Sequence, residues 1–379
     1  MNNMSFRQYI TRHLANIPGW YTNRKIVVIE SDDWGSIRMP SLETLHKLIN
    51  KNINFSWGLN YERNDTLASP SDLGNLFDVL SSVKDKNNNP AVITANCVVA
   101  NPDFEKINAS CFSEYHYELM TETMSRYYPQ SNPFILWKEG LKKGLFYPQF
   151  HGREHLNVQL WLNSLINNVN GVRDAFEETV FSQVMTIPND PRAHVLSAYD
   201  YENESEQPFI CTAIKEGLDI FEKLFGYRSA SAISPCFVWD DFVEKCLWDE
   251  GVTYIQGISF QHYSTCQKKR LNKKGKYHFC GNKNKLGQYY LVRNCSFEPS
   301  QYPAINYVDE CLKRIHIAFL WRKPAIISTH RLNFIGTLNE RNRDVNLQQL
   351  KMLLKEIVRL WPETEFLTSD KLGDIIREV

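Results

Sequence analysis

Short apolar runs alternate with longer amphipathic stretches along most of this 379-residue chain. The runs, rich in β-branched and aromatic residues, predict strands at 26–29, 91–99, 145–150, 232–238, 253–256, 289–293, 325–329 and, more weakly patterned, 365–367. Between them, apolar positions recur at helical spacing in 41–50, 113–128, 155–168, 212–226, 239–251, 307–322 and 346–361. Strand and helix taking turns over this length predicts an α/β fold built on a parallel sheet or barrel. Phe6, Ile10, Leu14 and Ile17 predict a short amphipathic helix ending before Pro18, so that residues 1–24 form a lead-in to one domain spanning 25–379. The polar, weakly periodic stretch 169–207 is expected to be an insertion on that domain.

Composition narrows the function classes. Formal net charge is zero, so overall charge calls for no nucleic-acid or membrane partner. The N-terminus lacks the continuous apolar stretch of a signal peptide, and no run approaches the roughly 20 apolar residues of a membrane span. The nine cysteines are odd in number and form no Cys-x-x-Cys pair, which suits core thiols in a reducing, cytoplasmic compartment. Aromatic content of 13% fits a ring-stacking substrate and a well-filled core equally.

Polar residues at strand ends are where such folds collect their chemistry. The first predicted strand runs directly into Asp32 and Asp33, two adjacent carboxylates that repel each other and resist desolvation unless positive charge meets them. The third leads into His151 and His155, whose i, i+4 spacing lets two imidazoles converge on one ion from one side of a helical turn. The seventh ends in His330. A second acidic pair, Asp240 and Asp241, opens a predicted helix and reads as its N-terminal cap.

Taken in order, "ESDDWGS", "HGREH", "RSASAISP" and "IISTH" resemble the motifs of the polysaccharide deacetylases, a carbohydrate esterase group that includes chitooligosaccharide and peptidoglycan deacetylases. The resemblance spans Glu30 to His330 and implies an irregular (β/α)7 barrel. It implies Asp33, His151 and His155 as ligands of a divalent ion, zinc first, with cobalt, nickel, iron or manganese as alternatives. Asp32 would be the general base and His330 the general acid. The implied substrate is an acetylated sugar, sugar nucleotide or lipid-linked saccharide. The third motif departs from the family pattern: family members carry an arginine two residues before the proline, whereas Arg228 precedes Pro235 by seven. Arg228 is the expected partner of the base, with Arg293 and Arg331 as alternatives that also stand near the substrate. Trp34 and Trp239 offer stacking faces to a sugar, or bury themselves in the core.

Two other readings compete. "HGREH" also fits H-x-x-E-H, the inverted zinc-peptidase pattern, in which Glu154 would activate water; that needs a continuous helix through both histidines, against Pro148 and Gly152. A sugar-binding barrel without chemistry is the non-enzymatic alternative. The segment 266–285 is densely basic and lacks any acid, reading as a solvated loop or, more sharply, as a site where Lys268, Lys269 and Arg270 attract an anionic substrate group.

Overall fold

The computed structural model describes residues 6–55, 58–184, 189–192 and 194–378. Nine strands make the central sheet: β1 (Lys25–Trp34), β2 (Ile93–Cys97), β3 (Phe146–Phe150), β4 (Ser231–Ile233), β5 (Tyr254–Gly257), β6 (Tyr289–Val292), β7 (Cys295–Ser296), β8 (Ala325–His330) and β9 (Thr364–Leu367). Their order is β6-β5-β4-β3-β2-β1-β8-β7, with β9 beside the N-terminal half of β1, and every pairing is parallel. Only Arg293 and Asn294 separate β6 from β7. These two are halves of one bent strand, the first pairing with β5 and the second with β8. The bend therefore joins the two edges of the sheet and closes a barrel of seven strand positions, as expected. Asn294 fastens it: its amide nitrogen donates to Pro324 O at 2.9 Å and its Oδ1 accepts from Ile326 N at 2.9 Å.

Alternation along β1 sorts side chains between inside and outside. Val27 and Ile29 join the outer core beneath the helices, whereas Ile26 and Val28 meet Leu291 and Ile326 within the barrel. The helix Ser369–Arg377 closes the N-terminal end by adding Leu372 and Ile376 to that inner cluster. Above the apolar floor the interior turns polar. Glu30, Thr94 and Ser369 are connected by hydrogen bonds, and the chain of contacts continues through Asn96, Gln256, Ser231 and Gln149. An all-parallel barrel buries both faces of its strands, so this polar layer is held by hydrogen bonds among its own members.

Several predicted elements shift. The fourth strand ends at Ile233 instead of Val238, because Pro235 has no N–H to donate and the chain turns through Pro235–Phe237 with Cys236 and Phe237 at φ 56° and 57°. The stretch predicted as helix at 113–128 splits into a short strand, Tyr117–Leu119, paired with Ala100–Pro102, and a helix, Met120–Tyr127. Helices Pro70–Ser81 and Pro133–Lys142 complete the outer layer. Each is announced by a capping residue followed by proline at its start, Ser69–Pro70 and Asn132–Pro133. Within the expected insertion, residues 185–188 and 193 lie outside the described residues, and Val172, Phe176, Phe181, Val195 and Leu196 pack into a second apolar cluster with Trp161 and Leu165. The lead-in forms the helix Phe6–Ala15, tied to the helix Tyr307–Leu320 by Arg12 and Glu310. No helix among the described residues is long and apolar enough to cross a membrane.

The closure of the barrel floor is testable at Gly373, where an added Cβ would lie 2.6 Å from the Tyr254 ring. Gly373→Ala is expected to lower unfolding free energy by about 1–3 kcal/mol in a urea titration, the usual cost of overpacking a tight contact. An unchanged midpoint would show that this helix is not wedged against the barrel.

Candidate active site

The first question is how two adjacent residues of one strand can both serve a single cavity, since neighbours in a regular strand point to opposite faces. A bulge resolves it. Between the pairs Ser31–Ala95 and Trp34–Cys97 the register shifts, so that Asp32 and Asp33 together oppose Asn96. Asp33 takes a left-handed backbone at φ 71°, a conformation that aspartate tolerates better than most residues. Both carboxylates then line a cavity of about 110 Å³ at the C-terminal end of the barrel, together with His151, His155 and His330.

The two histidines converge without a helix. Residues 151–156 form an irregular loop after β3, and helix begins only at Val158. Gly152, at φ 121°, reverses the chain between them, and a Cβ there would lie 3.0 Å from Glu154 O. Arg153 anchors the loop: its guanidinium binds Glu154 at 2.7 Å and Glu216 at 2.6 Å and lies 4.6 Å from the Tyr117 ring centroid. Glu154 is therefore buried and committed to Arg153, and the continuous helix of the peptidase pattern is absent here.

The geometry of the Asp33 cluster fits a metal ion. His151 Nε2 and His155 Nε2 lie 3.3 Å and 3.4 Å from Asp33 Oδ1, and all three ligand atoms are within 4.8 Å of one another. A tetrahedral site with bonds of ~2.0–2.2 Å has ligand–ligand edges of about 3.3–3.6 Å. His151 Nδ1 is 2.9 Å from Ile233 O, a carbonyl that can only accept, so Nδ1 carries a proton and Nε2 is the atom turned to Asp33. Burial pushes the pKa of His155 down to about 3, so that ring is neutral. The two Nε2 atoms and Asp33 Oδ1 are thus placed as one set of ligand atoms. The second oxygen, Asp33 Oδ2, accepts from Arg38 Nη2 at 3.1 Å and from the Tyr61 hydroxyl. Burial opposes ionisation of Asp33, yet His155 and His151, followed by Arg38 and His330, hold its carboxyl well below the usual range.

Asp32 and His330 flank this cluster with opposite electrostatic settings. Arg293 clasps Asp32 through two contacts of 2.6 Å, and Asn96 Nδ2 donates to Asp32 Oδ1 at 2.8 Å. Burial works against the carboxylate, but Arg293 outweighs it and holds the pKa at about 2. His330 Nε2 stands 3.9 Å from Asp32 Oδ2, and its Nδ1 donates to Glu298 Oε1 at 2.6 Å. Burial alone would discharge this imidazole; Glu298 and the two aspartates raise its pKa to about 9.

Arg228, expected as the base's partner, lies elsewhere: it binds Asp219, Glu222 and Glu250 on the barrel's flank. The reason is topological, since it precedes β4 and so sits at the end of the barrel opposite the cavity. Arg293 follows β6, at the correct end, and holds Asp32; buried against Asp32, Glu30 and Ser328, it is not among the residues that line the cavity. Arg331 is fully buried against Asp65. Trp34 and Trp239 are each 1% exposed and take the packing alternative, Trp34 against Phe146 and Trp239 against His278. Asp240 caps its helix as expected. The basic segment forms the helix Thr265–Leu271 and the strand Gly275–Tyr277, with Lys269 paired to Glu202 and Lys276 to Asp241.

Glu298, Tyr61, Arg38 and Asn96 escaped sequence reading. Glu298 follows a strand of two residues, too short for a period, and Tyr61 comes from a four-residue helix in a long connection. Asn96 did carry a signal, as a polar residue inside the apolar run 91–99.

No family model matches the chain, and no curated protein matches it. Solved structures share its path at low identity. The peptidoglycan deacetylase PdaC from Bacillus subtilis is 11% identical over 94% of this chain and 93% of its own, with a TM-score of 0.36. A CE4 family pseudoenzyme from Bacillus anthracis is 8% identical over 90% and 63%, with a TM-score of 0.37. The 4-alpha-glucanotransferase from Thermococcus litoralis is 9% identical over 92% and 40%, with a TM-score of 0.46. The reaction of this chain is therefore read from its own side chains.

Proposed function

We propose that this protein is a divalent-metal-dependent hydrolase that removes an acetyl or similar acyl group from an N-acylated sugar. One observation carries the reading: Asp33, His151 and His155 bring three ligand atoms together, and Asp32 and His330 line the same cavity. A divalent ion held there, zinc first by its preference for two imidazoles and a carboxylate, supplies carbonyl polarisation and activation of water near neutral pH. The chain's own residues supply the rest. Asp32, kept ionised by Arg293, accepts the proton of the attacking water. His330, kept charged by Glu298, donates from Nε2 to the departing amine. Separate partners thus push the base down and the acid up, so both hold their working protonation state at one pH. All nine cysteines are unpaired, which supports a reducing, cytoplasmic setting.

Four outcomes are expected. The purified chain binds one divalent ion, measured by elemental analysis and calorimetry, and His151→Ala weakens binding beyond the ~10–100-fold that loss of a supporting hydrogen bond costs. A wild-type protein that takes up no ion would refute the centre. Asp32→Asn lowers kcat for acetate release by roughly 10²–10⁴-fold while metal content holds. Glu154→Gln keeps kcat within a few-fold, against a peptidase role. The fourth concerns pH. His330 is active as the charged acid, so kcat/KM falls as pH rises through its raised pKa of about 9. Glu298→Gln removes the upward push and moves that alkaline limb to lower pH, toward the ordinary ~6.5 of histidine; a limb that stays in place would assign it to another group.

A further inference from the structure

We propose that the helix Phe6–Ala15 and the turn that follows the helix Tyr307–Leu320 form a docking surface for an anionic lipid bilayer. A surface helix of a globular protein ordinarily turns its apolar stripe to the core. The helix Phe6–Ala15 is inverted. Its inward side is polar: Arg12 binds Glu310, and Asn16, just past the helix end, accepts at Oδ1 from Asn294 Nδ2 at 2.9 Å over the bend between β6 and β7. Ile10 and Leu14 each stand two positions before one of these inward residues, and so on the far side of the helical turn. They are 39% and 59% exposed, and Ile17 beyond them is 49% exposed.

A distant segment extends the same face. Trp321 Nε1 donates to His13 Nδ1 at 2.9 Å, and the Tyr9 ring centroid lies 4.3 Å from that imidazole. Leu320, beside Trp321, is 61% exposed. Thr22 N donates to Arg322 O at 2.7 Å, and the Arg322 guanidinium lies 5.0 Å from the centroid of the exposed Tyr21 ring. Single exposed apolar side chains need no explanation, whereas a contiguous set assembled from two segments 300 positions apart marks an interaction surface. Trp321 and Arg322 precede β8 and Tyr21 precedes β1, so the face reaches the end of the barrel opposite the catalytic cavity and leaves the cavity mouth uncovered.

Charge identifies the occupant. Residues 1–29 contain no aspartate or glutamate but carry Arg7, Arg12, Arg24 and Lys25, and the segment 320–324 adds Arg322 and Lys323, again without an acid. Arg7 shares the outward side of the helix with Ile10 and Leu14, which follow it at i+3 and i+7, and Arg7 and Arg322 are both exposed. Glu310, the carboxylate that meets the helix, is held by Arg12 and Arg314. Aliphatic side chains flanked by tyrosine and tryptophan, with cations at the margin, match a bilayer surface. The apolar stripe enters the boundary of the acyl chains, the aromatic rings sit at headgroup level and the arginines meet anionic headgroups. A second copy docked about a two-fold axis would instead set the same acid-free, cationic margin against itself.

The test sediments the full chain with vesicles of phosphatidylcholine alone and of phosphatidylcholine mixed with phosphatidylglycerol. Co-sedimentation with the mixed vesicles, weakened by added salt, is expected. The double variant Ile10→Ser, Leu14→Ser should lower partitioning by about tenfold or more, the scale of withdrawing partly exposed aliphatic side chains from an apolar phase, with thermal melting unchanged. Arg7→Glu puts an acid in the first helical turn, which favours the helix itself, and should still weaken binding to the mixed vesicles. Absence of binding to either vesicle would overturn the lipid surface, as would binding that both variants leave intact. Self-association in sedimentation equilibrium that ignores vesicles and is lost in Ile10→Ser, Leu14→Ser would also overturn it, assigning the face to a second copy.

Discussion

Burying adjacent carboxylates at the end of a barrel strand is the constraint on which this molecule turns. Asp32 and Asp33 are each 3% exposed, and Glu30 below them is fully buried. Isolated charges in such surroundings would protonate or unfold the region. Arg293 answers Asp32 and Glu30 together, while Arg38 meets Asp65 and one oxygen of Asp33. Arg331 completes the arrangement by holding Asp65 from the other side. What is left over is Asp33 Oδ1, with the Nε2 atoms of two imidazoles 3.3 and 3.4 Å from it, and that convergence is the strongest physical reason to place a cation there.

Removing a member of this network differs from never having built it. Truncating Arg293 would leave two buried carboxylates unpaired, an expense of several kcal/mol by general experience with such pairs. The network therefore does not identify itself as a source of stability. Its value lies in specifying protonation: one carboxylate stays ionised through a guanidinium, and one imidazole stays charged through Glu298. The same interactions that hold the barrel's polar layer thus push Asp32 and His330 in opposite directions.

The fold contributes through two departures from regular strand geometry. The bulge in β1 turns both aspartates to the same cavity, where an unbroken strand would send one into the outer core. The bend between β6 and β7 occurs at Arg293 itself, so the residue at the point of barrel closure is also the one that clasps Asp32. Neither departure has a signature in hydrophobic period. A bulge changes one residue in ten, and a strand of two residues has no alternation to read.

What the sequence by itself determined is the set of chemically capable residues and their order. Alternating strand and helix patterns announced a parallel α/β barrel, and Asp32, Asp33, His151, His155 and His330 each followed an apolar run that proved to be a barrel strand. Those signals are local, carried by periodicity and by polar residues where apolar ones are expected. Partnership is not local, and only the tertiary structure decided it. Arg293 rather than Arg228 reaches Asp32 because strands present only their C-terminal ends to the cavity, a fact of topology that spacing along the chain does not encode. Glu298 reaches His330 across 32 positions, and Trp34 and Trp239 became core residues because neighbouring elements covered both their faces.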